Sequence, residues 1–151
     1  MEDRKDEIAT LNTLIATLID SVTGYEDAAS NSEQHRFAEL FRDRARERQQ
    51  CVEDLRSEVR RLGGNPEDDG SFMGKTHQRF LDLKAAVTGR DDQAIINEVE
   101  RGEDYLKEKF ETALNSGHLS GESRAAVERA FQSVRSGHDQ MSQLKHGMEA
   151  D

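Results

Sequence analysis

The sequence has little of what a β-sheet protein, a disulfide-rich secreted protein or a membrane protein requires. Its 151 residues include no tryptophan, two tyrosines, one proline and one cysteine. Sheets are enriched in β-branched and aromatic residues, secreted frameworks need several cysteines, and a membrane span needs about 18 successive apolar residues. The chain meets none of these requirements, and its charged beginning, MEDRKDE, does not resemble a signal peptide. We therefore expect a soluble all-α protein in a reducing cytoplasm.

The charge balance argues against nucleic acid and membrane surfaces as partners. Acidic residues outnumber basic residues by 31 to 21, which gives a formal charge of −10. Such a chain repels phosphate backbones and anionic lipids. Arginines do cluster at residues 42–48, but acidic side chains alternate with them, as is typical of a solvated helix face. We expect neither nucleic acid nor a membrane as a partner.

Apolar residues recur at intervals of three and four in four long segments, which is the pattern of amphipathic helices. Only 34% of the residues are hydrophobic and another 34% are charged, so a narrow apolar stripe on each helix has to supply the core. The predicted helices span about residues 4–29, residues 32–62, residue 91 to the NSGHLSG break at 115–121, and residues 121–148. We expect one domain that covers residues 1–151.

Two breaks carry turn signals. Ser30 and Glu33, between the first and second helices, have the spacing of a capping box, in which each side chain bonds to the backbone of the other residue. Asn31 or Ser32 could also start the second helix. Gly63 and Gly64 offer left-handed backbone geometry at the end of the second helix, and Pro66 prevents its continuation.

A shorter helix is predicted at residues 72–88, with Ser71 as its N-cap and Gly89 at its end. This segment separates the second and third long helices, whereas the other two connections are short. Short connections force antiparallel neighbours, and a long connection permits a return to the starting end of a bundle. The predicted fold is therefore a ferritin-like, up-down-down-up four-helix bundle with a fifth, crossover helix. An up-down-up-down bundle with one additional helix is the alternative.

Charged residues interrupt the apolar stripes, or flank them, at similar depths in the bundle. The predicted buried polar layer consists of Arg44, Arg48, Glu98, Glu103 and His138. Gly102 occupies a stripe position beside Glu103 and is expected to leave space for one of the long side chains. Glu26 lies at the edge of the first stripe, where an arginine that leans toward the N-terminus of its helix could reach it.

This layer has three interpretations. In the first, arginines pair with glutamates and a histidine completes a structural network, because an unpaired buried charge is very costly. In the second, inward-facing carboxylates and a histidine hold a metal, as they do in ferritin-like bundles. The candidate ligands are Glu26, Glu98, Glu103 and His138. In the third, Arg44 and Arg48 form a pocket for a small anion.

The spacing of the histidines favours the structural interpretation. Di-iron bundles repeat the motif Glu-x-x-His, because residues three apart share a helix face and reach one metal. The residues three positions before the five histidines are Ser32, Gly74, Asn115, Arg135 and Gln143, none of them acidic. We therefore expect no catalytic residue and no bound cofactor, although a di-metal centre without this motif is kept as an alternative.

Other reactive side chains have simpler explanations. His35 and Glu39 are one turn apart and are expected to form a solvated surface pair. His77 falls in the predicted crossover helix and is interpreted as a packed or surface residue. Cys51 falls on an apolar stripe, which predicts a buried and inert thiol.

Three stretches of the chain resemble a known family. They are TLIDSVTGYEDAA at 17–29, RLGGNPEDDGS at 61–71 and LKAAVTGRDDQAIINEVERGEDY at 83–105, followed by His138 late in the last helix. Together they are similar to a family of short bacterial four-helix-bundle proteins, a domain of unknown function in the ferritin-like superfamily. The resemblance covers nearly the whole chain. It implies a ferritin-like fold, a bacterial source and a stress-related context, and it brings no enzyme activity with it.

Three functional hypotheses follow. The first is a non-catalytic bundle, with a homodimer as its expected assembly, that acts through its surface or as a stress-associated accessory protein. The second is a divergent storage or redox protein that binds Fe, Mn or Zn. The third is a bundle that binds a small anion through its arginines.

Overall fold

The computed structural model describes residues 2–67 and 92–150, with side chains for 4–67 and 92–147. Four helices form in this part of the chain: α1 (Glu2–Asn31), α2 (His35–Arg61), α3 (Asp92–Asn115) and α4 (Gly121–Ala150), and the same ranges contain no strand. The prediction of an all-helical protein with four long helices is confirmed. The crossover helix predicted at 72–88, with its proposed boundaries at Ser71 and Gly89, lies outside the described residues.

The turn between α1 and α2 is capped from a distant part of the chain. The N-cap residue of α2 is Gln34, and its side chain makes no capping hydrogen bond. Instead, the backbone N–H groups of Glu33 and Gln34 donate to the carboxylate of Asp92 at 2.9 and 3.2 Å. The predicted capping box between Ser30 and Glu33 is therefore wrong, as is a start of α2 at Asn31 or Ser32. α1 continues through Asn31, and the first residue of α3 supplies the acceptors to the turn.

The end of α2 has the predicted left-handed geometry. Gly63 has φ +85°, which favours glycine. The N–H of Gly63 donates to the carbonyl of Arg60, and the N–H of Gly64 donates to the carbonyl of Val59, both at 2.9 Å. These two bonds make a Schellman motif, which satisfies carbonyls that the helix leaves free. Gly64 also allows close approach to α1, because a Cβ at this position would lie 2.8 Å from a side-chain carbon of Ile8.

Each helix packs against two others. α1 contacts α2 and α3, and α4 also contacts α2 and α3. At one end of the bundle, the N–H of Ser120 donates to Glu7 at 3.2 Å, and Arg61 pairs with Glu122 at 3.1 Å. The start of α1, the end of α2 and the start of α4 therefore lie together, whereas α3 begins, at Asp92, beside the α1–α2 turn.

Apolar side chains from all four helices meet in one core. Its aromatic members pair across helices: the rings of Tyr25 and Phe41 are 6.0 Å apart, and Phe110 stacks on Phe131 at 6.0 Å. The spacing of the apolar stripes is thus sufficient to build the core. Among the described helices, none combines the length and the apolar character needed to cross a membrane.

Candidate functional site: a buried ion pair shared by four helices

An arginine and a glutamate meet in the middle of the apolar core. Arg48 of α2 and Glu103 of α3 are both completely buried, with 0% of each side chain exposed. The Nη1 atom of Arg48 donates to Oε1 of Glu103 at 2.7 Å, and Nη2 donates to Oε2 at 2.6 Å. This bidentate geometry is the strongest form of an arginine–carboxylate interaction. The two helices that contribute it are therefore joined through their core-facing sides.

α1 contributes two further polar groups to this pair. Nη1 of Arg48 also donates to the hydroxyl of Ser21 at 2.8 Å. The guanidinium carbon lies 5.5 Å from the ring centroid of Tyr25, within the range of a cation–π contact. Ser21 and Tyr25 are one turn apart, so they share a face of α1. Both residues are completely buried, with 0% exposure.

The fourth helix contributes a glycine. A Cβ built on Gly137 would lie 2.5 Å from Oε2 of Glu103 and would overlap Nη2 of Arg48. Any side chain at this position of α4 would therefore displace the ion pair. We refer to Ser21, Tyr25, Arg48, Glu103 and Gly137 as the ion-pair cluster, to which every one of the four described helices contributes.

The electrostatics of the cluster keep its charges fixed. Burial lowers the pKa of Arg48, but the adjacent Glu103 carboxylate outweighs that effect and holds the pKa above its ordinary value. Burial, reinforced by the negative charge of Glu103, raises the pKa of the Tyr25 phenol well above its usual range. Arg48 therefore remains a cation and Tyr25 a neutral phenol at physiological pH. Neither group is prepared for proton transfer near neutral pH, as a general acid or base would be.

A family model with the description "Domain of unknown function (DUF2383)" matches residues 6–116. The chain belongs to this family. The match confirms the resemblance to a domain of unknown function that the sequence indicated. No curated protein matches the chain. The matched region of DUF2383 includes Ser21, Tyr25, Arg48 and Glu103, and it ends before α4, which carries Gly137.

Arg44, the other arginine predicted for the polar layer of this DUF2383 protein, is half-buried. Its side chain is 12% exposed and lies one turn before Arg48 on α2. It donates to Glu47 at 2.8 Å, to Gln140 at 3.0 Å and to Ser136 at 3.3 Å. These bonds join α2 to α4 at the edge of the core rather than at its centre.

His138 and Glu98 are also half-buried. The His138 side chain is 18% exposed, and its Nε2 atom lies 2.5 Å from Asp104 of α3. The Glu98 side chain is 27% exposed and pairs with Arg101 of its own helix at 2.9 Å. Of the five residues predicted for the polar layer, the structure thus places Arg48 and Glu103 together in the core and the other three toward its edge.

The four candidate metal ligands occupy different surroundings. Glu26 is exposed at a groove between α1 and α2. Glu103 is bound by Arg48, His138 faces Asp104, and Glu98 pairs with an arginine. Within residues 4–67 and 92–147, no three histidine, cysteine, aspartate or glutamate side chains come together as a metal would require.

Three members of the ion-pair cluster were not singled out by the sequence. Tyr25 lies on the apolar stripe of α1 and Ser21 lies beside it, and nothing local marks either residue as a partner of Arg48. Gly137 carries a signal, because a glycine in a helix interior costs about 1 kcal/mol relative to alanine. Gly102 was expected to provide space for a long side chain. Gly102 is buried, and Gly137 is a glycine that lies against the ion pair.

Two other expectations concern reactive side chains outside the cluster. Cys51 is a free thiol, 7% exposed, and burial raises its pKa, so the prediction of a buried residue is confirmed. His35 and Glu39 form the predicted surface pair at 3.1 Å, with side chains 81% and 65% exposed. His77 lies outside the described residues.

One buried carboxyl was not predicted. Asp20 of α1 is only 4% exposed, and its Oδ2 atom has no hydrogen-bond partner among the residues the structure describes. Burial raises the pKa of Asp20 from 3.8 to about 7. The position is a source of pH-dependent stability, since the buried carboxylate form is disfavoured.

Proposed function

We propose that this DUF2383 protein is a non-catalytic helical bundle that acts through its surface, as an accessory or interaction protein of the bacterial cytoplasm. The observation that carries the proposal is the ion pair itself. Glu103 is a fully buried carboxylate at the depth where ferritin-like proteins hold metals, and Arg48 occupies both of its oxygens. Both oxygens of Glu103 and both terminal nitrogens of Arg48 therefore have partners within the protein, whereas Arg48 Nε and the Tyr25 hydroxyl have no hydrogen-bond partner among the described residues.

We further propose the up-down-down-up order of ferritin-like bundles for the four helices, with a crossover helix at 72–88. The contacts at the helix ends support this order. α1 starts beside the start of α4, and α3 starts beside the α1–α2 turn. Thr10, near the start of α1, contacts His118 just beyond α3 at 3.2 Å, so α3 runs opposite to α1. In this arrangement α2 and α3 run in one direction, and α1 and α4 in the other.

A divergent metal centre receives less support from the same geometry. A metal at Glu103 would have to displace the guanidinium of Arg48 or share its surroundings with a fixed positive charge. The histidine predicted to assist, His138, is directed to Asp104, which is 57% exposed. A metal site would thus require the side chains of at least two helices to rearrange.

A small-anion pocket at the two arginines is also disfavoured. Both Nη atoms of Arg48 are already engaged by Glu103 and Ser21. The open space next to Arg44 is a groove of about 450 Å³ whose lining includes Glu39, Asp43 and Glu47. These three carboxylates outnumber the two arginines that line the groove, Arg36 and Arg44, so the groove would repel an anion more than attract it.

Elemental analysis of untagged protein, purified without chelator, tests this proposal. We expect substoichiometric Fe, Mn and Zn, an unchanged elution volume after addition of Fe(II), and the same melting temperature with and without chelator. Stoichiometric metal that is lost in His138→Ala would contradict the proposal and support a metal-binding protein. Thermal stabilisation by inorganic phosphate that is abolished in Arg44→Ala would contradict it in favour of an anion-binding protein.

A further inference from the structure

A groove with an apolar floor runs between α1 and α2 on the outside of the bundle. It has a volume of about 290 Å³. Val22 of α1 and Ala45 of α2 form its floor, and Val22 is a partly buried side chain at the edge of the hydrophobic core. The rim is formed by Glu26 on α1 and by Arg42, Arg46 and Gln49 on α2.

The charges on this rim fall into two kinds. Arg46 pairs with Asp43 on its own helix, and Gln49 donates to Glu53 at 3.2 Å. Glu26 and Arg42 are exposed, and neither has an ion-pair or hydrogen-bond partner among the side chains at 4–67 and 92–147. An uncompensated acid and an uncompensated base therefore line the same groove, one on each helix.

We propose that this groove binds a second copy of the chain, so that Glu26 of each copy pairs with Arg42 of the other. A two-fold axis running along the groove, parallel to the helices, would place α1 of each copy over α2 of the other. Glu26 lies between one and two turns before the end of α1 at Asn31, and Arg42 lies about two turns after the start of α2 at His35. Their similar heights in the bundle allow both pairs to form at once. The contact is isologous, the commonest symmetry of homo-oligomers.

Self-complementarity is the reason to assign a second copy to the groove. The chain as a whole carries a charge of −10, so indiscriminate self-association is opposed by repulsion. The groove is a local exception, because it presents one unpaired charge of each sign, Glu26 and Arg42, around an apolar floor. A different partner would have to supply an arginine and a glutamate in the same arrangement. The inference rests on the proposed function, since a bundle that acts through its surface needs a surface that binds.

Sedimentation velocity of the full chain, from micromolar to submillimolar concentration, tests the proposal by charge reversal. The wild type is expected to form a reversible dimer. Arg42→Glu and Glu26→Arg should each raise the dimer dissociation constant by about tenfold or more, because each change removes two exposed ion pairs and creates two repulsive contacts. The double variant Glu26→Arg/Arg42→Glu should recover dimerisation. Arg129→Glu is the control, because it changes the net charge as Arg42→Glu does but at an exposed position of α4. It should dimerise as the wild type does.

The recovery in the double variant is the decisive result, since a general effect of net charge or of folding would not produce it. Circular dichroism melts of each variant establish that the bundle is intact. A wild type that is monomeric at every concentration would overturn the proposal, as would a dimer that is unaffected by Arg42→Glu or a double variant that stays monomeric. The oligomeric state and the metal content test different proposals. A metal-free monomer would contradict only the proposed dimer interface at the groove. A metal-loaded dimer that shows the expected recovery in the double variant would contradict only the proposed function.

Discussion

Gly137 of α4 lies so close to Arg48 of α2 that a methyl group at position 137 would overlap the guanidinium. The same methyl group would lie 2.5 Å from Oε2 of Glu103. The ends of flexible side chains usually move aside at little cost. Here neither can move without breaking a bidentate ion pair that has no access to water. The absence of a side chain at Gly137 is therefore a condition for the buried pair.

The first prediction concerns Gly137→Ala. Alanine favours a helix interior over glycine by about 1 kcal/mol, but overpacking a rigid core costs about 1–3 kcal/mol, and here it also disturbs the Arg48–Glu103 bonds. We expect a net loss of about 1–3 kcal/mol in the free energy of unfolding, measured by urea denaturation. Gly147→Ala is the matched control on the same helix, because nothing lies within 4 Å of its Cβ position. Equal effects of the two substitutions would show that Gly137 does not face the ion pair.

The second prediction concerns the cap that α3 provides to the α1–α2 turn. Asp92→Ala removes the acceptor for two backbone N–H groups, those of Glu33 and Gln34. We expect a loss of about 1–2 kcal/mol, because two part-buried N–H groups are left without their acceptor. Asp92→Asn retains one acceptor oxygen and should lose less. Urea denaturation of both variants gives the comparison, and an alanine variant as stable as the wild type would disprove the role of Asp92.

The third prediction concerns the pH dependence that Asp20 introduces. Its pKa in the folded protein is about 7, above the ordinary 3.8, so the native state binds a proton that the unfolded state has already lost between these values. This contribution to stability is present at low pH and decreases as the pH rises from about 4 to about 7. Asp20→Asn should remove this pH dependence. At pH 8, where the wild type buries a carboxylate, the variant should be more stable by about 1–3 kcal/mol, allowing for residual contact with solvent.

The control for Asp20 is the same substitution at an exposed aspartate of α1, Asp27→Asn. The quantity to compare is the difference in unfolding free energy between each variant and the wild type, measured at several values of pH. For Asp20→Asn this difference should grow as the pH rises to about 7, whereas Asp27→Asn should show no such trend. A difference that is flat across the range would mean that Asp20 is solvated.

The helices themselves were predictable because their signals are local. Apolar residues spaced by three and four specify which face of a segment is buried, and the Gly63-Gly64 pair specifies where α2 ends. The capping of the α1–α2 turn was not predictable, because Asp92 lies 59 residues from Glu33 in the sequence. Ser30 and Glu33 have the spacing of a capping box but do not form one. The carboxylate of Asp92 binds the turn instead, because it offers two oxygens to two N–H groups.

The site was predictable only in its charged residues. Arg48 interrupts the apolar stripe of α2 and Glu103 flanks a stripe position of α3, so a buried pair between arginine and glutamate follows from the cost of leaving either charge alone. Arg44 and His138 interrupt similar stripes and Glu98 flanks one, yet all three lie toward the edge of the core, because small rotations of each helix decide which residue faces the centre. Such rotations depend on packing between helices, and no single segment encodes them.

A double-mutant cycle on Arg48 and Glu103 tests the central claim, that the polar centre of this bundle is a structural ion pair. Arg48→Met and Glu103→Leu should each cost about 3–5 kcal/mol, because each leaves a buried charge without its partner. The double variant should cost far less than the sum, giving a coupling free energy of about 2 kcal/mol or more. Additive losses, with a coupling free energy near zero, would contradict the claim and show that the two side chains act independently.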